Sequence, residues 1–395
     1  MTAIDTTRRQ LLAATLSASA LTPLATLSFA AAARPGDARF VFVILRGGLD
    51  GLSVEPAIGD PDFAAARGPL AQFASAPLKL DDTFALHPNL AQLHAMYGRG
   101  ELVVLHATGL PYRDRSHFDA QQVLESGGVR PYELTTGWLA RALAPSGAKS
   151  LALNTAVPLV LRGPGAVDTW APSALPDPNA DLVARLGQLY ADDPMLATAL
   201  ERARALHFGA TMSGDMASGG GRYGNFPVLA QRAAEFLAQP SGPQAAVLEL
   251  GGWDTHANQA NPNGALANNL RQLDTGLGAL REGLTASGTW GRTVVVVATE
   301  VGREVAVNGT LGTDHGTGGA AFVLGGAVQG GRVLADWPGL AKRNRFEGRD
   351  LKITTDLRAV LKTVLAEHLR VPGSALDTAV FPGSAGSARL SLLKA

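Results

Sequence analysis

Phe40-Val41-Phe42-Val43-Ile44-Leu45 is apolar at every position and stops abruptly at Arg46-Gly47-Gly48. Comparable runs recur at 102–105, 246–250, 293–298 and 321–324. Runs this short, apolar throughout and rich in β-branched residues, suit strands buried on both faces. Between them, helical spacing of apolar positions appears over 117–124, 181–190, 195–206, 228–237, 265–284 and 355–368. The longest of these, 265–284, separates two predicted strands as a crossover helix does. The alternation predicts an α/β fold of three layers, α/β/α, with a mostly parallel central sheet.

The amino terminus follows a different pattern. Thr7-Arg8-Arg9-Gln10-Leu11-Leu12 precedes an Ala/Leu-rich stretch to Phe29, then four alanines, Arg34 and Pro35. Paired arginines, an apolar middle and small residues before a cleavage point describe a signal peptide of the twin-arginine kind over 1–33. Pro23 interrupts an apolar run that falls short of the ~20 residues a spanning helix needs, so this segment reads as a signal and not as an N-terminal membrane anchor. No membrane span is expected in the mature chain. The expected partner during export is the twin-arginine translocase, and the expected location is periplasmic or secreted. Residues 34–395 then read as one domain with a helical and loop insertion around 176–240. Within it, the Gly/Ser-rich 212–221 reads as a mobile surface loop or a lid.

Composition narrows the chemistry. The chain has 34 basic and 34 acidic residues and no cysteine. Balanced, scattered charge removes the positive field that nucleic-acid binding needs. The absence of cysteine excludes disulfides, thiolate metal sites and a cysteine nucleophile, so any metal must sit on imidazole, carboxylate or hydroxyl ligands. With 46% hydrophobic and 17% charged residues, the chain can bury a large core.

In a parallel α/β sheet ligands bind beyond the carboxyl ends of the strands, so polar residues just after each apolar run are the candidates for chemistry. Asp50 follows the first run in Arg46-Gly47-Gly48-Leu49-Asp50-Gly51. Asp254 and His256 follow the 246–250 run, two residues apart, a spacing that lets extended backbone direct both to one cation or pair them as acid and base. Glu300 and Arg303 follow the 293–298 run, and Asp314 with His315 lies in a glycine-rich loop before the last run. Ser116 stands where a helix N-cap belongs, with Asp119 three positions on. A hydroxyl there lies at the positive end of a helix dipole beside Arg113 and Arg115, which favours an anion and nucleophilic attack.

These residues fall in an ordered set. Arg46-Gly-Gly-Leu-Asp50-Gly, Leu86-His87-Pro88-Asn89-Leu90, Arg115-Ser116-His117-Phe118-Asp119, Gly137-Trp138-Leu139, Gly251-Gly-Trp-Asp254-Thr-His256, Glu300-Val-Gly-Arg303, Gly312-Thr-Asp314-His315-Gly316 and Asp336-Trp337-Pro338-Gly339-Leu340 together resemble the exported bacterial family called domain of unknown function 1501. That family resembles the alkaline phosphatase and sulfatase superfamily, whose members hydrolyse phosphate or sulfate esters with one or two divalent cations. The resemblance implies an alkaline phosphatase-like fold, Ser116 as nucleophile, and His117, Arg115 and Arg303 beside it in catalysis. It implies Asp50, Asp254, His256, Glu300, Asp314 and His315 as ligands to one or two divalent ions, among Zn, Mn, Mg and Ca. The chain departs from the superfamily at two places: Asp254 and His256 are two residues apart rather than four, and Glu300-Val301 stands in place of Asp-His.

Two functions are compatible with this reading. One is an exported metal-dependent hydrolase acting on an anionic small molecule or glycan ester. The other is a non-catalytic exported binding or assembly protein that retains a phosphatase-like scaffold.

Overall fold

The run at 40–45 forms β1 (Arg39–Leu45), in which all seven residues are buried. It lies at the middle of a nine-stranded sheet completed by β2 (Leu102–Gly109), β3 (Ser150–Ala152), β4 (Val167–Thr169), β5 (Ala245–Leu250), β6 (Thr293–Thr299), β7 (Gly319–Leu324), β8 (Arg332–Leu334) and β9 (Thr355–Asp356). The computed structural model describes residues 37–172, 178–211 and 226–394, with backbone alone over 205–211. All of these lie in one compact unit, 34–395. The expected signal peptide at 1–33 and the Gly/Ser-rich 212–221 fall outside the described residues.

The strand order is β8-β2-β7-β6-β1-β5-β3-β4, with β9 beside the far end of β2. β1 pairs in parallel with both β5 and β6, so that Phe42 sits between Val247 and Val296. β7 is antiparallel to its neighbours β2 and β6. A mostly parallel sheet is therefore present, and β7 has a topological consequence: its amino end lies at the same edge as the carboxyl ends of β1, β2, β5 and β6. The loop carrying Asp314 and His315 enters β7 there.

The helices are α1 (Gly51–Val54), α2 (Phe63–Arg67), α3 (Ala91–Gly98), α4 (His117–Ser126), α5 (Trp138–Leu143), α6 (Ala180–Leu189), α7 (Pro194–Thr211), α8 (Phe226–Ala238), α9 (Ala265–Ala286) and α10 (Leu357–Glu367). Period-two alternation along β1 splits the core into two layers. Phe40, Phe42 and Ile44 face α4, α5 and α10. Val41, Val43 and Leu45 face α3, α8 and α9. On the first face Trp138 stands edge-on to Phe42 with ring centroids 5.2 Å apart and donates its indole N–H to Leu124 O at 3.0 Å, so a large ring is buried with no polar atom unpaired. This is the expected three-layer arrangement.

The stretch 176–240 is not uniform. α6 buries none of its residues. α8 buries Phe226, Leu229, Ala233 and Leu237 against α9 and β5 and belongs to the core. No helix among the described residues is long and apolar enough to cross a membrane.

Candidate metal centre

β1, β5 and β6 end side by side, and the residues that follow them converge. Gly47 makes the convergence possible: its φ is +117°, and a Cβ there would lie 2.7 Å from the backbone nitrogen of Asp254. A side chain at 47 would thus force the first two strand-end loops apart. Gly316 has the same function for the loop before β7, where a Cβ would sit 2.4 Å from the carbonyl carbon of Arg303.

Asp254 is the hub. Its Oδ1 accepts from Arg303 Nη2 at 2.6 Å and contacts His315 Nε2 at 2.8 Å and His256 Nε2 at 3.0 Å. Its Oδ2 accepts no hydrogen bond among the described residues. Burial alone would raise the Asp254 pKa, but His315, Arg303 and His256 outweigh it and hold the carboxyl below its usual range. His256 turns its other nitrogen to Asp314 Oδ1 at 3.1 Å, and Asn308 Nδ2 donates to the same oxygen at 3.1 Å. Asn308, then His256, keep Asp314 ionised.

The second half of the site comes from α4. Ser116 caps this helix, its Oγ accepting from Asp119 N at 3.3 Å, and His117 occupies the first helical position. The His117 ring stands 5.0 Å from that of His315. Its Nδ1 is 3.6 Å from Glu300 Oε1, and this carboxylate raises the imidazole pKa. Glu300 is fully buried, which by itself would raise its own pKa; His117, Gln121 and Gly47 N–H outweigh burial and keep it low. Gly47 N donates to Glu300 Oε1 at 2.7 Å, and Gln121 Nε2 at 3.1 Å. For His315 burial dominates, and its pKa is lowered. One donor atom from each of His117, Asp254 and His315 lies within 4.8 Å of the others, a spacing that the coordination sphere of one cation can span.

Seven of the ten residues singled out from sequence therefore meet at this edge: His117, Asp254, His256, Glu300, Arg303, Asp314 and His315. Ser116 adjoins them through His117. Asp50 and Arg115 point elsewhere. The Asp50 carboxylate is buried and pairs with Arg67, while its Oδ2 also accepts from Ser53 Oγ at 2.7 Å and Gln259 Nε2 at 2.5 Å. Its Oδ1 caps α1 through Leu52 N. Arg115 has φ +65° and turns its guanidinium to Asp350, at 2.7 Å, and to Glu347.

Arg303 is 1% exposed, and its N–H groups go to the carbonyls of Gly48, Gly47, Trp253 and Thr313 besides Asp254. It braces three loops.

Several supporting residues escaped sequence reasoning. Gln259 Oε1 accepts from the hydroxyls of Thr255 and Thr313 at 3.0 and 2.8 Å, which ties the Asp254 loop to the Asp314 loop. Gln121 lies four residues after His117, one helical turn along the same face, and this spacing is a signal that could have found it. Nothing local marks Arg67 as the partner of Asp50.

A family model described as "Protein of unknown function (DUF1501)" matches residues 37–379. No curated protein matches the chain. Among solved structures it is similar to Ps i-CgsB in complex with k-i-k-neocarrahexaose, at 11% identity and TM-score 0.43, over 86% of this chain and 74% of that one. It is similar to PsFucS1 sulfatase from Pseudoalteromonas sp., at 14% identity and TM-score 0.41, over 90% of this chain and 74% of that one. It is also similar to a protein in the alkaline phosphatase superfamily from Vibrio parahaemolyticus, at 13% identity and TM-score 0.39, over 74% of this chain and 62% of that one.

Proposed function

The chain belongs to the DUF1501 family, and from the geometry of its strand-end centre we propose that it is an exported, metal-dependent hydrolase of phosphate or sulfate esters. The observation that carries this reading is the trio His117, Asp254 and His315, with donor atoms within 4.8 Å of one another at the ligand-binding edge of the sheet. Two imidazoles and a carboxylate suit a borderline divalent ion such as Zn better than Mn, Ca or Mg, which prefer oxygen-rich sets. The free Oδ2 of Asp254 fits the same role. Such a cation supplies charge neutralisation on an ester oxygen and eases ionisation of a nearby nucleophile.

The chain's own groups have separable roles. Ser116 is the proposed nucleophile: its hydroxyl lies at the amino end of α4, where unpaired N–H groups and the helix dipole favour an anion. Glu300 fixes the His117 ring, as a carboxylate behind a ligating imidazole does. His256, bridging Asp254 and Asp314, orients Asp254. Arg303 orders the loops instead of gripping substrate, because its buried guanidinium already serves five internal acceptors. The substrate class is an anionic small molecule or glycan ester, met outside the cytoplasm after export through the twin-arginine translocase.

The test is elemental analysis of the exported protein together with assays on aryl phosphate, phosphodiester and aryl sulfate, before and after chelation. A near-stoichiometric divalent ion and chelator-sensitive hydrolysis of one ester are expected. A metal-free, inactive protein would sink the reading.

A second reading, an exported binding or assembly protein, is favoured by one observation: Arg115 and Arg303, the two guanidinium groups available for an anion, are both committed to internal partners. Stoichiometric metal with no turnover on any of the three esters would select it.

A further inference from the structure

The Leu86-His87-Pro88-Asn89-Leu90 motif takes no part in the centre at Asp254, yet it lines a cleft of its own. A cavity of about 90 Å³ opens between residues 70–75, the His87 loop and residues 259–271. Its wall on the protein side is Ser53 and Gln259; Ser53 Oγ and Gln259 Nε2 are committed to Asp50, and Gln259 Oε1 to Thr255 and Thr313. The remaining wall combines apolar Leu70, Phe73 and Pro262 with the half-buried His87 and the solvent-facing donors of Asn261 and Arg271.

His87 Nδ1 accepts from Asn89 N at 3.1 Å, which puts the ring proton on Nε2, and Nε2 has no partner among the described residues. Burial, then Arg271, lowers the His87 pKa to about 4, so the ring is a neutral donor at ordinary pH. Arg271 donates from Nη1 to Pro262 O at 3.1 Å and from Nη2 to Asn268, and its Nε–H stays unpaired among the described residues. The Asn261 Oδ1 accepts from Asn263 N at 3.0 Å, and its amide N–H groups stay unpaired likewise. No aspartate or glutamate lines the cleft. Unpaired donors around one guanidinium, with no acid to neutralise it, select an anion. The edge-on pair of Phe73 and His87, 5.6 Å between ring centroids, gives the opposite wall an apolar face.

We propose that this cleft binds a small organic carboxylate, its oxygens toward Arg271 and His87 Nε2–H and its apolar body against Leu70 and Phe73. One guanidinium and one neutral imidazole match a single negative charge better than a dianionic phosphate, and the apolar wall distinguishes an organic acid from sulfate. The site is separate from the centre at Asp254 and does not require that centre to be catalytic.

The probe is benzoate, titrated into the exported full chain with its histidine rings isotopically labelled, and the His87 ring resonance is assigned by its loss in H87F. Saturable movement of that resonance is expected, with benzamide, the neutral analogue, at least about tenfold weaker and sulfate weaker still. R271Q should abolish the movement and R271K should retain part of it. Both replace an exposed side chain, and an unchanged thermal midpoint will report that they fold. D254N should bind benzoate as the native chain does. Equal response to benzoate and benzamide, binding unaltered in R271Q, or no saturable movement would each overturn the assignment.

Discussion

Arg303 Nη2 lies 2.6 Å from Asp254 Oδ1, and the same guanidinium donates to the carbonyls of Gly47, Gly48, Trp253 and Thr313. One side chain thus fixes the loops after β1 and β5 and the loop before β7. R303M would remove the guanidinium donor from the carbonyls of Gly47, Gly48 and Thr313, and one of several partners from Trp253 O and Asp254 Oδ1. Arg303 is buried but the Asp254 side chain is 38% exposed, so water replaces part of the lost contact and the cost should fall below the about 3–5 kcal/mol of a fully buried pair; the thermal midpoint should still drop. R303K, which keeps the charge but not the fork, should recover only part of it. Calorimetry on the two variants checks this; equal stability of R303M and the native chain would contradict it.

Asp254 and Asp50 are separated by their partners. Asp254 keeps an oxygen free beside His117 and His315, whereas Asp50 is saturated by Arg67, Ser53, Gln259 and Leu52 N. D254N should therefore lower divalent-metal affinity by more than the about 10–100-fold that loss of a ligand's supporting partner costs. D50N should retain the metal and lose about 3–5 kcal/mol of stability, because the Arg67 charge is left buried without its counter-ion. Metal stoichiometry after dialysis, measured beside the thermal midpoint, reads both. Metal lost from D50N at native-like stability would restore Asp50 to the ligand set implied by family resemblance.

The same contrast explains what the sequence could reveal. β1, β5 and β6 are legible because a strand buried on both faces must be apolar at every position. β3 and β4 are three residues each, β3 pairing with β5 and β4 with β3 alone, so no local pattern announces them. Polar residues at strand ends were legible for a similar reason: Asp254, Glu300 and His315 interrupt apolar surroundings where the topology leaves a crevice. What each of those residues touches was not legible. Arg303 looks free to hold an anion until the loop carbonyls close around it. Asp50 looks like a ligand until Arg67, seventeen positions on, folds back against it.

Ser116 caps α4 and is the proposed nucleophile, and a single substitution can separate the two roles. Asparagine caps a helix as well as serine does, so S116N should leave stability within a few tenths of a kcal/mol, whereas S116A should lose about 1 kcal/mol. If the hydroxyl attacks the ester, both variants lose hydrolysis by about a thousandfold or more. Ester turnover by S116N near the native rate would remove Ser116 from the mechanism and leave the metal centre standing.

Glu55 sits at the end of α1, completely buried, with neither carboxyl oxygen hydrogen-bonded among the described residues. Burial first, and Asp81 second, push its pKa well above the usual carboxylate range. A group whose folded pKa is raised binds a proton that the unfolded chain has released, so its stabilisation is full below the ordinary carboxylate pKa and is lost as pH rises toward the folded value. His106, whose Nε2 lies 3.1 Å from the Glu55 carbonyl oxygen, works in the opposite direction. Burial lowers its pKa to about 4, so its contribution is present above the ordinary histidine pKa and lost as pH falls toward 4. Comparing E55Q with the native chain at each pH cancels the histidine contribution and isolates the carboxyl. Glutamine carries no proton to lose, so E55Q should match the native thermal midpoint near about pH 4 and exceed it near about pH 8. The excess should grow with pH by up to about 1.4 kcal/mol per unit, because holding the proton becomes that much more costly with each unit above the ordinary carboxylate pKa. A difference between the two proteins that stays constant across that range would show that Glu55 is ionised and paired in solution.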